Sequence, residues 1–114
     1  MRGPLSPQLL PENSQVQTDD IVVGGVSLRE LAGQFGTPLF VYDEESLRAR
    51  AREAANGFDD GVAFASKSFF CGAMARLVHE EGLCIDVSTA GELDVALRAG
   101  VPGESIIVHG NNKS

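Results

Sequence analysis

Three short apolar runs, at residues 62–66, 84–87 and 105–108, start at intervals of 22 and 21 residues. Between them the spacing changes from strand-like to helical. Ala73, Met74, Leu77 and Val78 precede Gly82, and Leu93, Val95, Ala96 and Leu97 precede Gly100. Strands alternating with helices of this length are the signature of parallel βα units. Right-handed crossovers then set the three strands side by side. After Val108 the chain reads His-Gly-Asn-Asn-Lys-Ser, with no helix to cover the third strand. Parallel sheets are normally covered on both faces, and a complete barrel of such units needs ~250 residues. Residues 61–114 are therefore expected to be an α/β fragment, incomplete by itself.

The N-terminal half carries a different pattern. Residues 1–17 are rich in Pro, Ser and Gln without apolar periodicity and read as a disordered tail. Residues 18–60 read as a strand and helix segment. Ile21–Val23, Gly24-Gly25 and Val26 suit a strand and turn. Ser27 with Glu30 forms a capping-box pattern opening a helix through Leu28, Leu31, Ala32 and Phe35. Gly36 suits the left-handed position after that helix, and Pro38 stops it. Residues 39–42, Leu-Phe-Val-Tyr, read as a strand. Asp43 is placed to cap a second helix, with Glu44 and Glu45 in its first turn and Leu47, Arg50, Ala51, Ala54 and Ala55 leading to Gly57. Arg48, Arg52 and Glu53 form its solvated side.

Composition narrows the function classes. The 114 residues are 43% hydrophobic and 22% charged, an ordinary globular balance. Asp and Glu outnumber Lys and Arg 16 to 9, a formal charge of −7 that repels phosphate backbones and argues against nucleic-acid binding. No apolar run is long enough for a membrane span or a signal peptide. Cys71 and Cys84, in apolar stretches and without a CxxC, read as buried free thiols of a reducing cytoplasm. No metal-ligand spacing, GxGxxG or Walker pattern is present.

Chemistry in parallel β/α folds gathers at the C-terminal ends of strands. Lys67, Asp86 and His109 fall there. Each also has a plain structural reading, as a solvated lysine, an exposed strand carboxylate and a satisfied strand-end histidine. Lys67 is bracketed by Phe64, Phe69 and Phe70, three of the six phenylalanines. Apolar surroundings favour a neutral amine, the form that adds to a carbonyl. Asp86 interrupts Leu83-Cys84-Ile85-Asp86-Val87 and faces opposite to Ile85 and Val87. In a covered sheet it needs a partner, which Lys67 on the neighbouring strand end could supply. Thr89 and Glu92 form a second capping box, a structural role for Glu92. Asn111 and Asn112 suit a turn or a hydrogen-bonding site.

The segments F-G-T-P-L-F-V-Y-D (35–43), A-F-A-S-K-S-F (63–69), E-G-L-C-I-D-V-S-T-A-G-E-L (81–93) and V-H-G-N-N-K-S (108–114) carry a resemblance. Together they resemble the diaminopimelate decarboxylases, of the fold-type III, alanine-racemase-like group of pyridoxal-phosphate enzymes. The resemblance covers about residues 21–114. It implies the first three strands of a (β/α)8 TIM barrel, preceded by an N-terminal segment that in the family joins a C-terminal β domain. The family's Schiff-base lysine maps onto Lys67. Its strand-two aspartate maps onto Asp86, near the cofactor, and the histidine of H-G-N-N-K-S is His109. The commoner lysine motif is A-V-K-A-N; A-S-K-S-F also occurs in this family.

The implied cofactor is pyridoxal 5′-phosphate, and the implied reaction takes meso-2,6-diaminopimelate to L-lysine and CO2, with the cofactor as electron sink. A homodimer is implied for the whole protein. The phosphate-binding, substrate-reading and C-terminal parts of the family come later than these residues, so the chain alone is expected to be inactive and unstable. Another fold-type III enzyme, such as an ornithine or arginine decarboxylase or a racemase, and a non-catalytic truncated product remain the alternatives.

Overall fold

In the computed structural model, which describes residues 7–110, Gly24 and Gly25 have φ of 58° and 82°. Positive φ at both centres is the demand of a two-residue hairpin turn, and glycine meets it without steric cost. The turn joins β2 (Ile21–Val23) to β3 (Val26–Ser27), which pair antiparallel through Val22↔Ser27 and Val23↔Val26. On the other side of β2 lies β1 (Ser14–Val16), antiparallel from Ser14↔Val23 to Val16↔Ile21.

That strand corrects the expectation of a disordered tail over 1–17. A 3-10 turn at Pro7–Leu9 and the β1 ladder both fall inside it. The ladder is held by backbone groups, extended by Gly24 N–H donating to Asn13 O at 2.8 Å and Gln17 N–H to Asp20 O at 2.8 Å. Side chains as polar as Ser14 and Gln15 give no apolar alternation by which to see it. Residues 1–6 lie outside the described residues.

Ser27 ends β3 and caps α1 (Leu28–Phe35), its Oγ accepting from Glu30 N–H at 3.1 Å. The same hydroxyl donates to Asp20 Oδ2. Asp20 Oδ1 accepts from Ile21 N–H at 2.8 Å and Arg29 N–H at 3.1 Å. One carboxylate thus ties β2 to the first turn of α1, and these donors, Ser27 foremost, hold it below the usual carboxylate range. Gly36, at φ 81°, donates its N–H to Ala32 O and ends the helix as expected. Residues 39–42 do not form the expected strand. They find no ladder partner among the described residues, and Phe40 remains 88% exposed. Asp43 then caps α2 (Glu44–Gly57), accepting from Ser46 N–H at 3.0 Å and from Ser46 Oγ.

The chain divides into two units, Met1–Leu47 and Arg48–Ser114. The boundary lies within α2, so most of that helix belongs with the second unit rather than with a segment ending at residue 60. The second unit is built on β4 (Ala63–Ala65), β5 (Cys84–Val87) and β6 (Ile106–Val108), all parallel, in the order β4-β5-β6. The register runs Ala63↔Cys84 to Ala65↔Asp86, then Ile85↔Ile106 to Val87↔Val108. Crossovers α3 (Gly72–Glu80) and α4 (Ala90–Arg98) connect them, as the 21- to 22-residue repeat predicts.

The core follows from parity. Ile85 and Val87 are fully buried, together with Ala75 and Ala96 of the two crossover helices. Met74, Leu77, Val78, Leu83 and Val101 complete it. Burial of an Ile or Val of this kind contributes about 1.5–3 kcal/mol. Ala51 of α2 is buried too, and the side of α2 read as solvated is partly engaged. Arg48 pairs with Glu80 at 3.0 Å and Glu81 at 3.0 Å, and Arg52 pairs with Glu81 at 3.1 Å. The acidic partners end α3, too far along the chain for helical spacing to reveal them. Cys84 is half-buried, but Cys71, expected to be buried, is exposed at the start of α3; both are free thiols.

Candidate functional site

Parallel pairing aligns the C-terminal ends of β4, β5 and β6 along one edge, and the sequence-predicted residues lie on it. After Ala65 the backbone leaves the strand for a 3-10 turn, Ser66–Ser68, closed by Ser68 Oγ donating to Ala65 O at 2.9 Å. Lys67 is the middle residue of that turn and is exposed. The expected aromatic bracket is only partial. Phe64 and Phe70 pack on each other, with ring centroids 6.5 Å apart, while Phe69 is 40% exposed.

Asp86 alternates with the buried Ile85 and Val87, so its carboxylate takes the opposite face, with 25% of the side chain exposed. Its partner is His109, whose Nδ1 meets Asp86 Oδ1. Register explains the pairing. Asp86 lies opposite Ile107, and His109, two residues on, shares that face as the diagonal neighbour. His109 N–H donates to Val87 O at 3.0 Å, continuing the ladder past β6 and steadying the imidazole. Lys67 stands in the same relation to Ala65, the residue opposite Asp86 on the other side. The 3-10 turn breaks its strand parity. Among the described residues no ion pair joins Lys67 to Asp86, so the partner expected for this carboxylate is replaced by His109. The structure brings Asp86 and His109 together and places Lys67 on the adjoining strand end.

The loop after β5 carries a network that a capping-box reading captures only in part. Thr89 Oγ1 accepts from Glu92 N–H at 3.1 Å, as expected. Glu92 Oε1 accepts from Ser88 N–H at 2.7 Å and Ser88 Oγ at 3.1 Å, and the Thr89 backbone N–H adds to the hold on the carboxylate. The Ser88 backbone donor is the chief reason that this carboxylate titrates below the usual carboxylate range. Ser66, immediately before Lys67, is buried to 2% exposure. Its hydroxyl reaches no partner at hydrogen-bond geometry, yet it lies near enough to Glu92 to contribute to the same depression. Neither contact has a sequence signal beyond the Ser next to the lysine. Asn111 and Asn112 lie outside the described residues.

A primary amine that makes no ion pair among the described residues, at a strand end, suits covalent attachment of a carbonyl cofactor, and the adjacent carboxylate–imidazole pair supplies polar contacts for one. Comparison with known proteins points the same way. The family described as "Pyridoxal-dependent decarboxylase, pyridoxal binding domain" matches residues 44–114. The chain is 49% identical over 113 residues to the diaminopimelate decarboxylase of Mycobacterium tuberculosis, covering 96% of this chain and 25% of that protein. It is 50% identical over 106 residues to that of Corynebacterium efficiens, covering 90% and 23%. Among solved structures, diaminopimelate decarboxylase from M. jannaschii in complex with L-lysine superposes with a TM-score of 0.78 at 30% identity, covering 91% of this chain and 26% of that one. The chain thus spans about a quarter of the length of the relatives it matches.

Proposed function

This chain belongs to the pyridoxal-dependent decarboxylases, and on that premise we propose that its gene product is a diaminopimelate decarboxylase using Lys67 to carry pyridoxal 5′-phosphate. The observation that supports this most is the placement of Lys67 at the end of β4, one strand from the Asp86–His109 pair. The substrate assignment rests on relatives named for diaminopimelate, 49–50% identical to the chain. The reaction releases the carboxylate at one α-carbon of meso-2,6-diaminopimelate as CO2, and a proton takes its place to give L-lysine.

Within the chain, Lys67 Nζ anchors the cofactor covalently, and its exposure leaves the amine accessible. Pyridoxal phosphate, when bound, supplies the electron sink for the pair left by the departing CO2. Asp86 holds His109 through Nδ1, which fixes the ring and leaves Nε2 as the nitrogen available to the site. Both residues serve as polar contacts for the cofactor or its lysine. The residues 61–114 act as the opening of the cofactor-binding barrel domain, and the assembled protein is a cytoplasmic homodimer.

The test is product formation by the complete gene product supplied with pyridoxal phosphate. CO2 and L-lysine in equal amounts from meso-diaminopimelate, with no turnover of ornithine or arginine, is the expected result. Lys67→Ala should lower the rate by at least about 1,000-fold, the scale of losing a covalent catalytic group. Preference for ornithine or arginine overturns the substrate assignment, and undiminished turnover by Lys67→Ala overturns the role of the lysine.

A further inference from the structure

His109 makes two separate contacts at the end of β6. Its backbone N–H donates to Val87 O at 3.0 Å, which by itself secures the strand end. Its ring is held independently, Nδ1 meeting Asp86 Oδ1 across the diagonal of the β5–β6 register. An ionised carboxylate only accepts, so Nδ1 carries the hydrogen and Nε2 keeps its lone pair. Nε2 meets no other group among the described residues, and 51% of the side chain is exposed. An imidazole held in this way is a proton acceptor whose charged form has a carboxylate beside it. Lys67 follows β4 and His109 follows β6, so the two flank the strand of Asp86. Two ladder spacings put their strands about 10 Å apart. A small molecule joined to Lys67 Nζ can therefore reach the imidazole over the end of β5.

We propose that His109 is the proton acceptor for the Lys67 amine as it condenses with the carbonyl cofactor, and that Asp86 is the positioning residue of that acceptor. This goes beyond the polar contacts assigned to the pair and rests on the reading of Lys67 as the cofactor lysine. An ammonium cannot add to a carbonyl until it gives up a proton. One N–H bond at Nζ breaks toward His109 Nε2, and the freed electron pair forms the bond from nitrogen to the carbonyl carbon. The transferred proton passes on to the carbonyl oxygen, which leaves as water with a second proton from the same nitrogen. No oxidant or further reactant enters. Asp86 acts through the ring: its bond at Nδ1 keeps the lone pair at Nε2 and stabilises the charge that the ring takes up.

The experiment follows the rate at which pyridoxal phosphate labels Lys67 of the cofactor-stripped complete gene product at neutral pH, trapped by borohydride and read by peptide mass. The dissociation constant of the cofactor is measured beside it. His109→Ala should slow labelling about 100- to 1,000-fold, the range of a lost general base. The dissociation constant should rise less than about tenfold, the scale of one lost hydrogen bond. Imidazole in solution should restore labelling of His109→Ala in proportion to its concentration and leave the unsubstituted rate unchanged. Asp86→Asn offers an N–H to Nδ1 and moves the ring hydrogen to Nε2, so it should slow labelling about as much as His109→Ala, without rescue by imidazole. Adding Asp86→Asn to His109→Ala should slow the reaction no further. Labelling of His109→Ala at the unsubstituted rate, or a defect that imidazole fails to relieve, overturns the proposal. So does a rise in the dissociation constant as large as the loss in rate, which marks a binding contact alone. A defect in Asp86→Asn with none in His109→Ala places the acceptor at Asp86 and equally overturns it. Label that settles on a different lysine of the unsubstituted protein overturns instead the reading of Lys67 itself.

Discussion

At Gly24 two demands coincide. Its φ of 58° is left-handed, and a Cβ built there would stand 2.5 Å from Asp43 Oδ1. Asp43 cannot retreat freely, because its other carboxylate oxygen caps α2 through Ser46. Gly25 has φ of 82° but open space around it. Gly24→Ala should therefore destabilise by roughly 2–3 kcal/mol, combining left-handed strain with a disturbed cap. Gly25→Ala should cost only about 1 kcal/mol, its left-handed strain alone. Urea denaturation of the two variants, made in the full-length protein, checks this, and equal losses would mean that the approach of Asp43 has no energetic weight. The turn was readable from Gly-Gly beside apolar residues. The second demand was not, since Asp43 lies 19 positions away.

The junction of α2 with α3 shows what local patterns omit. Glu81, only 13% exposed in its side chain, receives both Arg48 and Arg52, and these bonds, Arg48 first, lower its pKa. Its folded pKa is thus below its unfolded one. The stabilisation is full above the unfolded value and is lost as pH falls through the folded one. Glu81→Gln should lower the melting temperature at neutral pH, and the gap from the unsubstituted protein should close as pH drops below the usual carboxylate range. A gap that persists unchanged into acid would contradict the ion-pair account. The three parallel strands were legible because apolar periodicity is a local signal. The strand β1 was not, because backbone bonds to β2 define it. Residues 39–42 misled for the converse reason: their residue types suit a strand, but no strand edge among the described residues receives them. At the site, strand-end positions for Lys67, Asp86 and His109 could be read off the repeat. The Asp86–His109 pairing depends on register between β5 and β6, which no local pattern specifies.

Taken whole, the described chain presents apolar surface that folded proteins seldom leave open. Phe40, Phe35 and Phe58 are exposed, as are Ile107 and Val108 of β6, and β4 and β6 each pair only with β5. Unpaired edges and apolar patches of this kind favour association over a stable monomer. The 114-residue chain prepared alone should show no cooperative melt by far-UV circular dichroism and should bind an apolar dye; a sharp reversible transition would refute this. On the proposed assignment, this chain supplies the amine of the active site. The sequence contains two lysines, Lys67 and Lys113. The most direct test of the central claim is borohydride reduction of the active protein loaded with pyridoxal phosphate, followed by peptide mapping. The account predicts the pyridoxyl mass on the peptide containing Lys67. The same mass on another lysine, with Lys67 unmodified in an active preparation, would contradict it.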